Sequence, residues 1–135
     1  MTYPITHIRG LDVEEITSLR DLGIRTTERL LEQAKSPKGR RELAAKCGIA
    51  EQRLLVLANA CDHLRIKGMG KDYVVLLREV GVNTVRDLRY RNPANLVKAM
   101  CEANKKRKLV RLLPSEKLVG RWVEGANMLA LKITY

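Results

Sequence analysis

The chain has 135 residues, of which 45% are hydrophobic and 30% are charged, proportions that are typical of a globular protein. It contains one Trp, four Tyr and no Phe, so its core must be built from Leu, Val, Ile and Ala, which disfavours an all-β sandwich. The formal net charge of +11 favours a polyanionic partner, with an acidic protein as the alternative to a nucleic acid.

Several classes of protein are disfavoured by the sequence. No apolar run approaches the roughly 20 residues that span a membrane, and the first residues lack the features of a signal peptide. We therefore expect a cytoplasmic protein without membrane contacts. The three cysteines, Cys47, Cys61 and Cys101, are widely spaced within helical patterns, which predicts reduced core thiols. Because only two histidines occur, His7 and His63, we expect neither a metal site nor a cofactor.

Caps, glycines and apolar spacing predict a series of short helices. In the first half they run from Asp12 to about Leu22, from Thr26 to about Lys35, from Ser36-Pro37 to about Cys47, and from about Glu51 to Arg65. The last of these carries a stripe of apolar residues on one face: Leu54, Leu57, Ala58, Cys61 and Leu64.

The second half shows a similar succession. Its predicted helices run from about Lys71 to Val80, briefly from Thr84, from Pro93 to about Asn104, and from Pro114-Ser115 onward. In the last helix we expect a buried stripe of Leu118, Trp122, Ala126 and Leu129.

An internal repeat relates the two halves. The segment from Ile8 to Leu31 matches the segment from Ile66 to Arg89 at a constant offset of 58 residues, with 7 identities in 24 positions. Each segment is typical of a helix, a Gly-Ile or Gly-Val turn and a second short helix. The sequence therefore predicts an all-α fold of tandem helix-hairpin-helix repeats, with pseudo-repeats at residues 1–65 and 66–135 packed as one compact helical body.

The strongest candidate for a binding site is the turn at residues 66–71. Gly68 and Gly70 permit a tight turn and leave room for a ligand against the main chain. Backbone N–H groups at a helix N-terminus attract phosphate, and Lys67 and Lys71 add positive charge on either side. A helix-hairpin-helix motif contacts the DNA backbone through such a hairpin and reads little base sequence.

Two features of the hairpins leave room for other interpretations. In the second hairpin, the N–H of Met69 is expected among the donors, whereas the alternative is a purely structural turn with the Met69 side chain in the core. In the first hairpin, Asp12 replaces the second glycine, and its carboxylate would repel a phosphate and cap the helix instead. We therefore expect the first hairpin to be mainly structural, with Arg9, beside Gly10, as its contribution to binding.

Positive charge is concentrated in the second half of the chain. Residues 1–65 carry 11 basic and 9 acidic side chains, a balance of +2, whereas residues 66–135 carry 15 and 6, a balance of +9. Five basic residues lie in one run without an acid: Lys105, Lys106, Arg107, Lys108 and Arg111. This run, together with Arg65, is either part of a surface that faces phosphates or a solvated connector between helices.

Segments throughout the chain carry a resemblance to a known family. They are Ile8-Arg9-Gly10-Leu11, Leu22-Gly23-Ile24-Arg25-Thr26-Thr27, Ser36-Pro37-Lys38-Gly39-Arg40, Ile66-Lys67-Gly68-Met69-Gly70, Gly81-Val82-Asn83-Thr84-Val85, Leu112-Leu113-Pro114-Ser115 and Lys132-Ile133-Thr134-Tyr135. With them the chain resembles an uncharacterised bacterial family, a domain of unknown function, made of tandem helix-hairpin-helix repeats. The resemblance implies the all-helical fold and, by similarity to better known helix-hairpin-helix domains, DNA binding without sequence specificity.

We therefore expect a non-catalytic module that grips duplex or junction DNA through residues 66–71. A protein-interaction or scaffold module without nucleic-acid binding is the alternative. An enzyme is not expected, because no nucleophile can be placed beside a general base.

Overall fold

The computed structural model describes residues 2–135, and the regular secondary structure in that range is helical. A short 3-10 turn at Ile5–His7 precedes eight α-helices: α1 (Val13–Asp21), α2 (Thr27–Ala34), α3 (Pro37–Cys47), α4 (Glu51–His63), α5 (Lys71–Glu79), α6 (Val85–Arg89), α7 (Pro93–Lys106) and α8 (Glu116–Met128). Within the described residues there is no β-strand, only an isolated bridge between Pro4 and Thr26. The prediction of an all-α fold is confirmed.

Local sequence signals set where the helices begin. The Asp12 side chain accepts a hydrogen bond from the Glu15 N–H at 2.8 Å, and Glu15 accepts from the Asp12 N–H at 3.1 Å, which forms a capping box at the predicted N-cap of α1. Ser36 and Asn92, each followed by a proline at the first helical position, cap α3 and α7. Each such cap contributes about 1 kcal/mol to stability.

The chain divides into two compact units. The first comprises the residues up to Arg65 together with Lys132–Tyr135, and the second is Ile66–Leu131. The last four residues belong to the first unit because Thr134 is hydrogen-bonded there. Its N–H donates to the Lys35 carbonyl at 2.8 Å, and its carbonyl accepts from the Arg40 guanidinium at 2.7 Å. In the structure, the second unit therefore ends at Leu131.

In the first unit, α2 packs against both α3 and α4. The apolar stripe predicted for α4 is buried throughout: Leu54, Leu57, Ala58, Cys61 and Leu64. Ile5, Leu19 and Leu30 are fully buried as well, so the short helices share one apolar core.

In the second unit, α8 packs against α6 and α7, and α5 packs against α7. Trp122 and Ala126 are fully buried in α8, as predicted, but the third buried position is Val119. The prediction of Leu118 and Leu129 as part of that stripe is wrong. Leu118 is partly exposed, and Leu129 follows the end of the helix with an extended backbone, at ψ 139°.

The three cysteines are free thiols, as predicted, but only Cys61 is a core residue. Cys47 is half-buried at the last position of α3, and Cys101 is half-buried on α7, so the prediction of core positions is wrong for both. Burial raises the pKa of the Cys61 thiol to about 12, which keeps it protonated near neutral pH.

Candidate nucleic-acid interface

The turn at residues 66–70 leads directly into α5. Gly68 has φ +82°, the left-handed region that favours glycine, and its backbone is exposed. Gly70 is the N-cap of α5, with φ −81° and ψ 156°, and provides no side chain to cap the helix. Lys67 and Lys71 flank the turn with exposed side chains. The predicted hairpin residues therefore lie together at a solvent-exposed helix N-terminus.

The turn retains unused backbone donors. The N–H groups of Gly68, Gly70 and Lys71 donate no hydrogen bond to any acceptor within residues 2–135. These groups lie at the positive end of the α5 dipole, where an anion is stabilised. The expected N–H of Met69 is not among them, because it donates to the Ile66 carbonyl at 3.1 Å within the turn.

Buried residues of the second unit support the turn from its inner side. The Trp122 indole N–H donates to the Gly68 carbonyl at 3.3 Å, and the Trp122 ring contacts the Tyr73 ring with centroids 5.1 Å apart. The Met69 side chain is buried in the core, with only 2% of its surface exposed. The Met69 side chain thus lies in the core, as expected for a structural turn, while the backbone N–H groups of the neighbouring Gly68 and Gly70 have no acceptor within residues 2–135.

The turn at residues 8–12 has the same glycine geometry but different chemistry. Gly10 has φ +92°, and its carbonyl accepts a hydrogen bond from Arg53 at 2.8 Å. The Asp12 N–H is occupied by Glu15, which forms a bidentate ion pair with Arg53 at 2.9 and 3.0 Å. The hydrogen bond from Arg53 holds the pKa of the Glu15 carboxyl below its ordinary value. Two carboxylates therefore occupy the N-terminus of α1, beside the exposed Arg9.

Hydrogen bonds fix the basic run that follows α7. The Asn104 side-chain oxygen accepts from the N–H groups of Leu109 and Val110 at 2.8 and 3.0 Å, and its amide nitrogen donates to the Val110 carbonyl at 3.0 Å. The Tyr73 hydroxyl, on α5, donates to the Leu112 carbonyl at 2.8 Å. The run is therefore attached to α5 and is not a loose connector.

The five cations of the run differ in their partners. Arg107 forms an ion pair with Glu79 at the end of α5, and Lys105 pairs with Glu102 at 3.2 Å. The exposed side chains of Lys106, Lys108 and Arg111 form no ion pair with any residue of the described chain. These three are the basic side chains of the run that remain available to an anion.

A groove of about 650 Å³ brings the basic run next to the first turn of α5. Its lining residues are Asp72, Cys101, Asn104, Lys105, Lys108, Leu109, Val110, Arg111 and Leu113. Asp72 is the second residue of α5, two positions after Gly70. The groove and the turn therefore lie at the same end of the second unit.

Arg65, another predicted site residue, is mostly buried and forms an ion pair within the protein. It belongs to the first unit, and its guanidinium forms an ion pair with the buried Asp62, with Nε at 2.8 Å from Oδ1. Only 18% of its side chain is exposed. Its charge is thus largely used within the protein.

Sequence reasoning missed the residues that hold the site in place. Trp122 was identified only as a core residue, and Tyr73 and Arg53 were not identified, because their partners are 38 to 54 residues away along the chain. Asn104 was detectable in principle, since an asparagine near a helix end often bonds backbone groups a few residues further on.

Across residues 2–135, no three His, Cys, Asp or Glu side chains are grouped closely enough to hold a metal ion. None of the helices described in that range has the length and apolar character required to cross a bilayer.

One family is shown by comparison with known proteins. A family model with the description "Domain of unknown function (DUF4332)" matches residues 9–129, and the chain belongs to this family. No curated protein and no solved structure matches the chain.

Proposed function

We propose that the protein is a non-catalytic module that holds the phosphate backbone of duplex or junction DNA without sequence specificity. The observation that carries the proposal is the set of open N–H groups at Gly68, Gly70 and Lys71, between the exposed cations Lys67 and Lys71. A phosphate oxygen at this position would accept backbone hydrogen bonds at the positive end of α5 and be neutralised by the flanking lysines.

The proposal includes the interpretation of the chain as two helix-hairpin-helix repeats. It is supported by equivalent positions 58 residues apart: α1 begins at Val13 and α5 at Lys71, and each helix has nine residues. The glycines that follow these helices, Gly23 and Gly81, have φ +78° and +86°. Both short second helices are capped by a threonine.

The chemistry of the site supports binding without catalysis. Residues 66–71 include no His, Cys, Ser or carboxylate side chain that could act as a nucleophile or a general base. Backbone N–H groups and lysines contact phosphates, which are the same at every base pair, so the site carries no sequence information. The cations of the basic run, at the same end of the unit, add to the attraction for a polyanion.

The proposal is tested by fluorescence-anisotropy titration of a labelled DNA duplex at several salt concentrations. For the wild type we expect log K to fall with log salt at a slope of about 0.9 for each phosphate neutralised. The variant Lys67→Glu/Lys71→Glu should bind more weakly, with a slope that is smaller by about 2. Circular dichroism verifies that the variant remains folded.

A matched control separates a local effect from the change in net charge. Lys38→Glu/Lys46→Glu alters two exposed lysines of α3, in the first unit, and reverses the same number of charges. It should retain a salt slope close to that of the wild type. Absence of duplex binding by the wild type, or equal losses in the two variants, would contradict the proposal and favour a protein-interaction module.

A further inference from the structure

The groove beside the turn combines charge with an apolar wall. Lys105, Lys108 and Arg111 bring positive charge to its lining, and Leu109, Val110 and Leu113, which we call the apolar wall, bring apolar side chains. A surface that only attracted the outside of a DNA duplex would need the cations alone. The apolar wall indicates a ligand that has both negative charge and exposed apolar faces.

The shape of this groove is established before any ligand binds. The three hydrogen bonds of the Asn104 side chain fix the backbone at Leu109 and Val110, and the Tyr73 hydroxyl holds the Leu112 carbonyl. Because the loop is already ordered, a ligand does not have to supply the free energy for ordering it. A solvated connector would not require these contacts.

The state of the DNA strand determines whether it can use the apolar wall. In a duplex, the faces of the bases are stacked on one another, and only their edges are accessible in the grooves. An unpaired strand can turn its base faces toward a protein surface while its phosphates follow a positively charged groove. The volume of about 650 Å³ lies within the range of sites for small ligands, which suits a short stretch of single strand.

We infer that this groove binds an unpaired DNA strand, with bases against Leu109, Val110 and Leu113 and phosphates at Lys108 and Arg111. The inference rests on the proposed function, because the strand continues from the backbone that the turn at residues 66–71 holds. The module then prefers DNA in which a duplex adjoins a single-stranded segment.

One carboxylate of the groove opposes this binding. Asp72 lines the groove together with the three cations and carries the only negative side chain of its lining. Lys108 and Arg111, which form no ion pair within residues 2–135, leave the groove attractive to phosphates.

The test compares two labelled DNA molecules in the same anisotropy assay: a blunt duplex, and the same duplex extended by a single-stranded tail. The quantity measured is the ratio of Kd for the blunt duplex to Kd for the tailed duplex. Burial of part of one base face against the apolar side chains of the groove corresponds to a ratio of about tenfold, which we expect for the wild type. The ratio cancels the attraction to the duplex that both molecules share, and the control variant on α3 shows how far the additional phosphates of the tail act through net charge alone.

The variants assign the preference to the groove. Lys108→Glu/Arg111→Glu should reduce the ratio to about one. The control Lys38→Glu/Arg41→Glu, on two exposed residues of α3, should keep the wild-type ratio. The turn variant Lys67→Glu/Lys71→Glu should weaken binding to both molecules yet retain a ratio above one. Circular dichroism again verifies the fold.

The contradicting outcomes are distinct. A wild-type ratio of about one, with blunt-duplex binding that depends on Lys67 and Lys71, would overturn the groove assignment and leave the proposed function standing. A preference for the tail that Lys108→Glu/Arg111→Glu does not change would overturn it as well. Absence of binding to either molecule would overturn both proposals and favour an acidic protein segment as the occupant of the groove.

Discussion

The turn at residues 8–12 and the turn at residues 66–70 both contain a glycine with positive φ, and both lead into a helix of nine residues. At the N-cap position one has Asp12 and the other has Gly70. In the first turn, Asp12 and Glu15 occupy each other's N–H groups, whereas in the second the donors of Gly70 and Lys71 have no partner within residues 2–135. The N–H groups of Gly10 and Val13 also have no acceptor in that range, so the two turns differ in the donor of the N-cap residue and in the carboxylates of Asp12 and Glu15.

The two turns also differ in what supports them. Arg53 supports the first through the Gly10 carbonyl and the Glu15 carboxylate. Trp122 supports the second through the Gly68 carbonyl, and its side chain is fully buried. An open helix N-terminus lacks the stabilisation of a side-chain cap, and in the second turn the buried tryptophan provides stability from the core.

The largest effect on stability is expected when the residue that supports the second turn is removed. Trp122→Ala should lower the free energy of unfolding by about 3–5 kcal/mol, because it leaves a cavity in the core and abolishes the bond to Gly68. Urea denaturation followed by circular dichroism measures this loss. A loss below about 1 kcal/mol would show that Trp122 does not support the turn.

A smaller effect on stability is expected from substitution of the two glycines with positive φ. Gly10→Ala and Gly68→Ala should each lower the free energy of unfolding by about 1–2 kcal/mol, because alanine is strained in the left-handed region. At both sites there is room for the added methyl group, so no steric clash adds to this cost. Thermal denaturation gives both losses. Only Gly68→Ala should also weaken duplex binding, and equal weakening by both substitutions would remove the distinction between the turns.

A further prediction concerns pH and the first turn alone. Because Arg53 lowers the pKa of Glu15 in the folded state, its carboxylate stabilises the protein above the ordinary pKa of 4.5, and this contribution is lost as the pH falls through the lower folded value. Glu15→Gln should therefore lower the free energy of unfolding by about 1 kcal/mol at neutral pH. At pH values below both pKa values the difference from the wild type should vanish. Urea denaturation at several pH values measures it, and a difference that is independent of pH would contradict the assignment.

The smallest expected effect on stability exchanges the two N-caps. Gly70→Asp and Asp12→Gly should each change the free energy of unfolding by only a few tenths of a kcal/mol, because glycine and aspartate are both tolerated at an N-cap. Their effects on duplex binding should differ. Gly70→Asp places a carboxylate at the open donors and should weaken binding in the anisotropy assay, whereas Asp12→Gly should not. Unchanged binding by Gly70→Asp would place the phosphate elsewhere.

Local features were predictable from the sequence because they depend on neighbours along the chain. The caps at Asp12, Thr26 and Ser36 and the buried face of α4 follow from short-range spacing, and the structure confirms them. Val119 is buried in place of the predicted Leu118 because of the rotation of α8 about its own axis where it packs against α6 and α7. Spacing along the sequence alone does not determine that rotation.

Long-range features were not predictable in this way. The bonds from Trp122 to Gly68 and from Arg53 to Gly10 join residues 54 and 43 positions apart, and the C-terminal Thr134 bonds to Arg40 at a separation of 94. No local pattern indicates such pairs. The open donors of the second turn were predicted correctly for Gly68 and Gly70 but not for Met69, because the sequence does not reveal that its N–H closes the turn.

The central claim is that the backbone N–H groups of the second turn bind phosphate, and NMR titration of the ¹⁵N-labelled protein with a DNA duplex tests it most directly. The account predicts that the amide signals of Gly68, Gly70 and Lys71 shift on addition of DNA, while those of Gly10, Leu11 and Asp12 remain in place. Shifts that are absent from the second turn, or that are larger at the first, would contradict it.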